Sequence, residues 1–464
     1  MASSHLCGGE RKRLQYLIPH TLGRLARFPP EMEAFPLLDL RFLNSIKICT
    51  CHSHSKLAVF SNLLYSKGME PTRIHAFRIR NISNLHVYGR TSSYRSALPL
   101  FWTGSGFSVD TKSGELWALL ESDYSVYEPW VSVWVNGNMV GRFMVEKGRR
   151  WYCLFRGLSP EKVHRFELLK ETQAMSGDRQ HMLLVHALGV PENIKDPSSQ
   201  VFLKQKERPV KIEFVGDSIT TGEGLSGGVD EMDWISGWMS LKDNYALMTA
   251  KALNADFHIL SQCGWGVTAS WDNDRKCILP PHYTNVCSMH WGERNEILGA
   301  QDDWDFSKWK SDFVVVNLGT NDWGAFNNPM KTDPGTGEKW KYRIDADGKP
   351  NPDDLAYFRT GVMNFIKKIR VNNPNAHIIW IYGMCGFELG GEIAGAVETF
   401  ASENSDSKVH FMHLPSMTDE SSEEKGSRSH PGPGTHRRVA RLLTEKIASI
   451  MKAEKMGSST PKKD

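Results

Sequence analysis

Residues 312–318, Asp-Phe-Val-Val-Val-Asn-Leu, form an almost unbroken apolar run. A β-branched run of this kind suits a parallel strand that is covered on both faces. It stops abruptly at Gly319-Thr320-Asn321-Asp322, a polar block placed where such a strand reaches its carboxyl edge. Strands are expected likewise at 210–215, 257–260 and 377–382, and helices at 245–254, 354–371, 391–402 and 437–452. This alternation of strand and helix predicts a three-layer α/β/α domain over 206–455.

The grammar ahead of it is different. Short half-buried runs at 85–88, 98–103, 115–121, 130–135, 139–145, 151–155 and 165–171 are divided by turns, and Asn136-Gly137-Asn138 after Trp130, Val133 and Val135 is a strong hairpin signal. An all-β sandwich is expected over 81–205. The first 80 residues carry 12 Lys/Arg against 5 Asp/Glu. They read as an extension, disordered or targeting, because transit segments are basic and poor in acid. A disordered tail is expected at 456–464.

Several function classes drop out. The 464 residues carry 56 Lys/Arg and 53 Asp/Glu, a net charge of +3, so global charge argues for no nucleic-acid partner. No stretch approaches the roughly 18–20 apolar residues of a membrane span. With no signal peptide visible, a cytoplasmic location is expected, secretion or an organelle being the alternatives. The eight cysteines are sparse; Cys277 and Cys287 are near enough in sequence to bridge, but free thiols are expected. Cys49, Cys51, His52 and His54 lack a second arm for tetrahedral zinc, and the irregular spacing of Cys277, His282, Cys287 and His290 within 271–304 reads as a lid over the site, not a metal centre. No metal site is expected.

Three sheet edges carry the chemistry. Strand 210–215 runs into Gly216-Asp217-Ser218-Ile219-Thr220, putting a serine where open α/β sheets bind ligands; a plain helix N-cap is the other reading of that block. Asn321 can offer an amide to a developing oxyanion, or close an Asx turn. Ser261-Gln262-Cys263-Gly264-Trp265-Gly266 presents the Gly264 N–H. A base should be a histidine. Of 17 histidines, His430 stands out because Pro431 stiffens its loop and a helix follows; His436 lies further on.

Taken in this order, GDSIT, the Gly264 block, GTND and the late His-Pro resemble the SGNH (GDSL-type) hydrolase superfamily, over about residues 206–455. The resemblance implies a flavodoxin-like α/β/α fold and ester hydrolysis. It makes Ser218 the nucleophile, His430 the base, and Ser218 N–H, Gly264 N–H and Asn321 the oxyanion hole. The front motifs Tyr88-Gly89-Arg90-Thr91, Phe101-Trp102-Thr103-Gly104-Ser105-Gly106 and Leu169-Lys170-Glu171-Thr172, with Gly222-Glu223-Gly224 behind the serine, are similar to carbohydrate esterase family two. Those enzymes join a jelly-roll sandwich to an SGNH domain and remove acetyl groups from polysaccharides. The implied partner is an acetylated carbohydrate, and no cofactor is required.

One departure stands out. The superfamily usually has an Asp three residues before the histidine; here that position is Ser427. Some family-two members likewise let a backbone carbonyl orient the imidazole, so a Ser218–His430 dyad is expected, with Asp419, Glu423 or Glu424 as the alternative acids to reach the ring. Arg428 is expected at the surface. Trp265, Trp323 and Trp234 flank the blocks as candidate sugar platforms, with core packing the competing role. Asp217 is a candidate substrate contact that more readily holds its own loop, as Asp322 does. A lipid, thioester or other small-acyl hydrolase, or a carbohydrate-binding protein with a decayed esterase site, are the alternative functions.

Overall fold

The structure, a computed structural model, describes residues 73–418, 421 and 423–458. The basic N-terminal stretch up to residue 72, the Cys/His cluster at 49–54, Asp419 and residues 459–464 lie outside them.

Eleven short strands build the front half: β1 (Ile74–Arg78), β2 (His86–Tyr88), β3 (Leu98–Pro99), β4 (Gly106–Thr111), β5 (Leu116–Asp123), β6 (Trp130–Val135), β7 (Asn138–Met144), β8 (Gly148–Phe155), β9 (His164–Lys170), β10 (Met182–Pro191) and β11 (Phe202–Leu203). They form two antiparallel sheets. One has the order β1-β10-β5-β8 with β3 beside β10, the other β11-β4-β9-β6-β7 with β2 beside β4. Alternate residues of both sheets (Phe107 and Val109, Ala118 and Leu120, Val131 and Val133, Phe166 and Leu168, Leu183 and Val185) point inward into one core. The expected hairpin is there: Val135 pairs with Asn138, and Asn136 and Gly137 both take positive φ, +51° and +84°, as a type I′ turn needs. The sandwich starts ahead of residue 81, because β1 pairs with β10 from Ile74 opposite Pro191.

Five parallel strands form the back half. They are β12 (Val210–Gly216), β13 (Ala255–Ser261), β14 (Phe313–Asn317), β17 (His377–Tyr382) and β18 (Val409–His413), with a small hairpin of β15 (Lys331–Thr332) and β16 (Lys339–Trp340) outside the sheet. The sheet order is β13-β12-β14-β17-β18. Its helices are α1 (Ser218–Thr221), α2 (Tyr245–Ala252), α3 (Thr320–Phe326), α4 (Pro352–Asn372), α5 (Gly390–Glu403) and α6 (Pro433–Ser458). Phe313 and Val315 meet α2 and α6 through Leu247, Ala250, Val439 and Leu443. Val314 and Val316 meet α4 and α5 through Val362, Phe365, Ile393 and Val397. Two covered faces account for the apolar run. Among the described helices none is long and apolar enough to cross a membrane.

Residues 271–304 are not a lid. Tyr283, Val286, Cys287, Met289, Leu298 and Ala300 are buried in the core, because sandwich residues grip this segment: Arg90 donates to the carbonyls of Tyr283 and Asn285, and Trp102 Nε1 to that of Val286. Cys287 is a free thiol and Cys277 is disulfide-bonded elsewhere, so these two do not bridge, and the expectation of free thiols fails at Cys277.

Arg90 also makes a two-pronged pair with Glu213 of β12, both fully buried. Burial pushes the Glu213 carboxyl up, but Arg90, with His258 and Tyr283 behind it, outweighs burial and holds it at about 2. Removing one partner of such a pair strands a buried charge at a cost of about 3–5 kcal/mol. Arg90→Met is therefore expected to lose about that much stability in urea unfolding, and Arg90→Met/Glu213→Met to recover most of it. Equal loss in the single and double variants would contradict this account of the clamp.

Candidate active site

β12 lies between β13 and β14, so the chain leaves its carboxyl end with neighbours on either side, the crevice where open α/β sheets bind ligands. Gly216 is the last residue of β12, and the position takes glycine because a Cβ there would sit 2.0 Å from Thr220 Oγ1. Asp217 then caps α1, its carboxylate accepting from Ile219 N–H at 3.0 Å, and the cap turns Ser218 to the edge of the sheet.

Ser218 Oγ lies 2.8 Å from His430 Nε2. His430 Nδ1 lies 2.9 Å from the carbonyl of Arg428. A carbonyl only accepts, so Nδ1 carries the ring proton and Nε2 offers its lone pair to the serine hydroxyl. That carbonyl is aimed by backbone in the left-handed region, φ +54° at Arg428 and +56° at Ser429. The loop is pinned in turn by Arg428 N–H on Glu231 O (2.8 Å), Ser427 N–H on Gly224 O (3.2 Å) and Gly426 N–H on His430 O (2.8 Å). His436 is buried elsewhere, its Nδ1 accepting from Tyr245 N–H, and burial drives its ring down to about 3.

Gly264 follows β13 with φ +80°, a conformation that suits glycine. Neither its N–H nor that of Ser218 takes an acceptor among the described residues. Asn321, in the first turn of α3, directs its amide at Trp265 O (3.0 Å) and, more loosely, at Asp217 Oδ2 (3.4 Å). Ser218, Gly264 and Asn321 therefore follow three adjacent strand ends, Gly216 lying in register with Ser261 and Asn317. Asp322 is buried, accepting from the N–H groups of Val267, Thr268 and Ala269 and from the Thr268 hydroxyl. It ties the Gly264 loop to α3.

Other expectations need correcting. Trp265 offers no platform: at 6% exposure its ring is in the core against His282. Trp323, half-buried against Phe326, and Trp234, half-buried against Tyr127 of the sandwich side, stay partly exposed. Asp217 is fully buried and meets its own loop, not a substrate. Glu423 pairs with Arg437 and Glu424 with Arg438, both on α6 and away from the ring; Asp419 lies outside the described residues. Arg428 is half-buried, and its guanidinium pairs with buried Glu223 at 2.9 Å.

Two residues were missed. Glu223, one turn past the serine, has Oε2 3.7 Å from His430 Nε2; the Gly-Glu-Gly spelling marked the place without giving a role. Trp271 is 49% exposed and edges Gly264, whose Cβ would come 3.0 Å from its Cδ1. No periodicity distinguishes it from the buried tryptophans.

The arrangement can pass a proton from a hydroxyl to an imidazole and hold a new negative charge on nearby donors, which is the machinery of acyl transfer. The profile of GDSL-like lipases and acylhydrolases matches residues 212–443. The chain belongs to this GDSL, or SGNH, family. Within it the likeness is to carbohydrate esterases of family two. An acetyl xylan esterase from the rumen bacterium Butyrivibrio proteoclasticus is 40% identical over 82% of this chain and 99% of that one, with a TM-score of 0.78. An active site mutant of a family two carbohydrate esterase from Clostridium thermocellum is 25% identical over 79% of this chain and 98% of that one, TM-score 0.63. A cellulase/esterase of Acetivibrio thermocellus is 27% identical over 350 residues, 75% of this chain. The chain spans only 37% of that protein's length.

Burial drives the Asp217 carboxyl up to about 7, against the pull of Ile219 N–H and with a push from Asp322. A buried acid raised in this way weakens the fold as it ionises: nothing is lost below about pH 4, and the cost grows until about pH 7. Asp217→Asn keeps the capping oxygen. It is expected to gain stability over the parent at pH 8, on the order of a few kcal/mol, and little at pH 4. A gain independent of pH in thermal unfolding would contradict the assignment.

Proposed function

We propose that the protein is a serine esterase that removes O-acetyl groups from carbohydrate, acetylated xylan or a related polysaccharide or sugar. The observation that carries this reading is the 2.8 Å contact between Ser218 Oγ and His430 Nε2 at the sheet edge, with Gly264 and Asn321 following the adjacent strand ends. The named activities of the similar family-two proteins support the acetyl group and the sugar.

In this reading Ser218 Oγ attacks the acetyl carbonyl carbon while its proton passes to His430 Nε2. The carbonyl oxygen becomes an oxyanion held by the N–H groups of Ser218 and Gly264 and by the Asn321 amide, which exchanges its long bond to Asp217 for a shorter one. The imidazolium returns its proton to the departing sugar oxygen, the C–O bond breaks, and acetyl remains on Ser218. His430 then takes a proton from water as the water attacks, acetate leaves, and the proton goes back to Ser218 Oγ. The Arg428 carbonyl keeps the ring oriented, and a Glu223 carboxyl oxygen lies 3.7 Å from His430 Nε2. Trp271, exposed at the rim, is the ring placed to stack on a sugar.

Ser218→Ala is expected to cut acetate release from acetylated xylan by about 10⁴ or more. Asn321→Ala should lower kcat by about 10²–10³ with KM nearly unchanged. Acetate release equal in wild type and Ser218→Ala would overturn the reading, and a preference for aryl esters of eight carbons or longer over acetate would replace the acetyl group with a longer acyl chain.

A further inference from the structure

The segment of the sandwich that follows β9 reaches towards the site. Lys170, fully buried, donates through Nζ to Phe101 O (2.7 Å) and Gln173 O (2.9 Å), which fixes the backbone at Gln173. The Gln173 side chain, only 3% exposed, crosses to the sheet domain. Its Oε1 accepts from Cys263 N–H at 2.7 Å. Ser176 Oγ accepts from Gln262 Nε2 at 3.1 Å. These two bonds hold the two residues directly before Gly264.

The same segment grips the other side of the serine. Glu171 is buried and pairs with Arg142, and it accepts from Leu241 N–H at 3.4 Å. Arg142 donates to Gly237 O (2.7 Å) and Met239 O (2.8 Å). The loop so held sends Ser240 N–H to Gly222 O at 3.0 Å, and Gly222 is the cap that ends α1 behind Ser218.

Donors that stabilise an oxyanion work only if they are already aimed, and errors near 1 Å cost about 10²-fold. Gly264 sits on a loop whose own sheet strand ends at Ser261, three residues earlier. Something outside the sheet has to set its direction. We propose that Gln173 of the β-sandwich is a positioning residue for the oxyanion hole: by accepting from Cys263 N–H it aims the Gly264 N–H at the reacting carbonyl, so the sandwich is part of the catalytic apparatus and not only a neighbouring module. This rests on the esterase reading given above.

Gln173→Met matches the side chain in length and removes the acceptor. Its kcat on 4-nitrophenyl acetate, counted per Ser218 titrated with a fluorophosphonate, is expected to fall about 10–100-fold with KM within about threefold. The affinity for a trifluoromethyl ketone that forms a tetrahedral adduct on Ser218 should fall in parallel. Counting by titrated sites removes any unfolded fraction, which a merely structural role would lower instead. If Gln173→Met does not fold, Ser176→Ala carries the test, with an expected loss of about 3–10-fold in kcat at constant KM, smaller because a weaker bond is lost. An active wild type with unchanged kcat per site in the variant overturns this inference and leaves Ser218 and His430 standing. A wild type without Ser218-dependent turnover overturns both.

Discussion

The placement of Ser218, Gly264 and Asn321 depends on β12 lying between β13 and β14 in a parallel sheet. Parallel strands end together, so the loops after Gly216, Ser261 and Asn317 open on one edge although they are far apart in the chain. The apolar residues of β14, covered by α2 and α6 on one face and α4 and α5 on the other, fix that edge in place. A serine, a glycine amide and an asparagine amide then need only short, constrained loops to meet. The caps and clamps are of that kind: Asp217 on Ile219 N–H, and Asp322 on three successive N–H groups of the Gly264 loop.

The histidine arrives differently. No strand carries it; its loop is pinned to residues 224 and 231 and spends two left-handed residues, Arg428 and Ser429, to turn a carbonyl onto Nδ1. Such backbone costs roughly 1–2 kcal/mol per residue and persists only where the surroundings enforce it. A neutral carbonyl fixes the tautomer as a carboxylate would, but it supplies less charge to an imidazolium. Glu223 brings a buried carboxylate to the other side of the ring, at 3.7 Å, while also pairing with Arg428. In the proposed dyad, the orienting contact that an Asp usually makes in the superfamily is made by a backbone carbonyl.

What could be read from the sequence follows from how local each signal is. The continuous apolar strands, the Gly-rich blocks at their ends and the Asn-Gly hairpin are short-range patterns, and they stand where expected. β18 escaped notice because Val409-His-Phe-Met-His is a half-exposed edge strand with little apolar contrast. β4 has little apolar contrast, with Ser108, Asp110 and Thr111 among its six residues, whereas β10 is ten residues long and almost wholly apolar, without the alternation of a half-buried strand, though it is central to its sheet. Residues 271–304 look like a free loop because the arginine and tryptophan that bury them, Arg90 and Trp102, are nearly two hundred positions away. Trp265 and Trp271 are alike in sequence and opposite in exposure. Glu223 and Gln173 act through contacts that no motif encodes, and only the fold brings them to the site.

The proposed dyad is one serine at the sheet edge activated by one histidine with no acid in series. It is tested most directly by mapping where a fluorophosphonate attaches, by tandem mass spectrometry of wild type and His430→Ala. One label per chain is expected, on the peptide bearing Ser218, with near-complete loss of labelling in the His430 variant. Labelling at another residue, or undiminished labelling without His430, would contradict it.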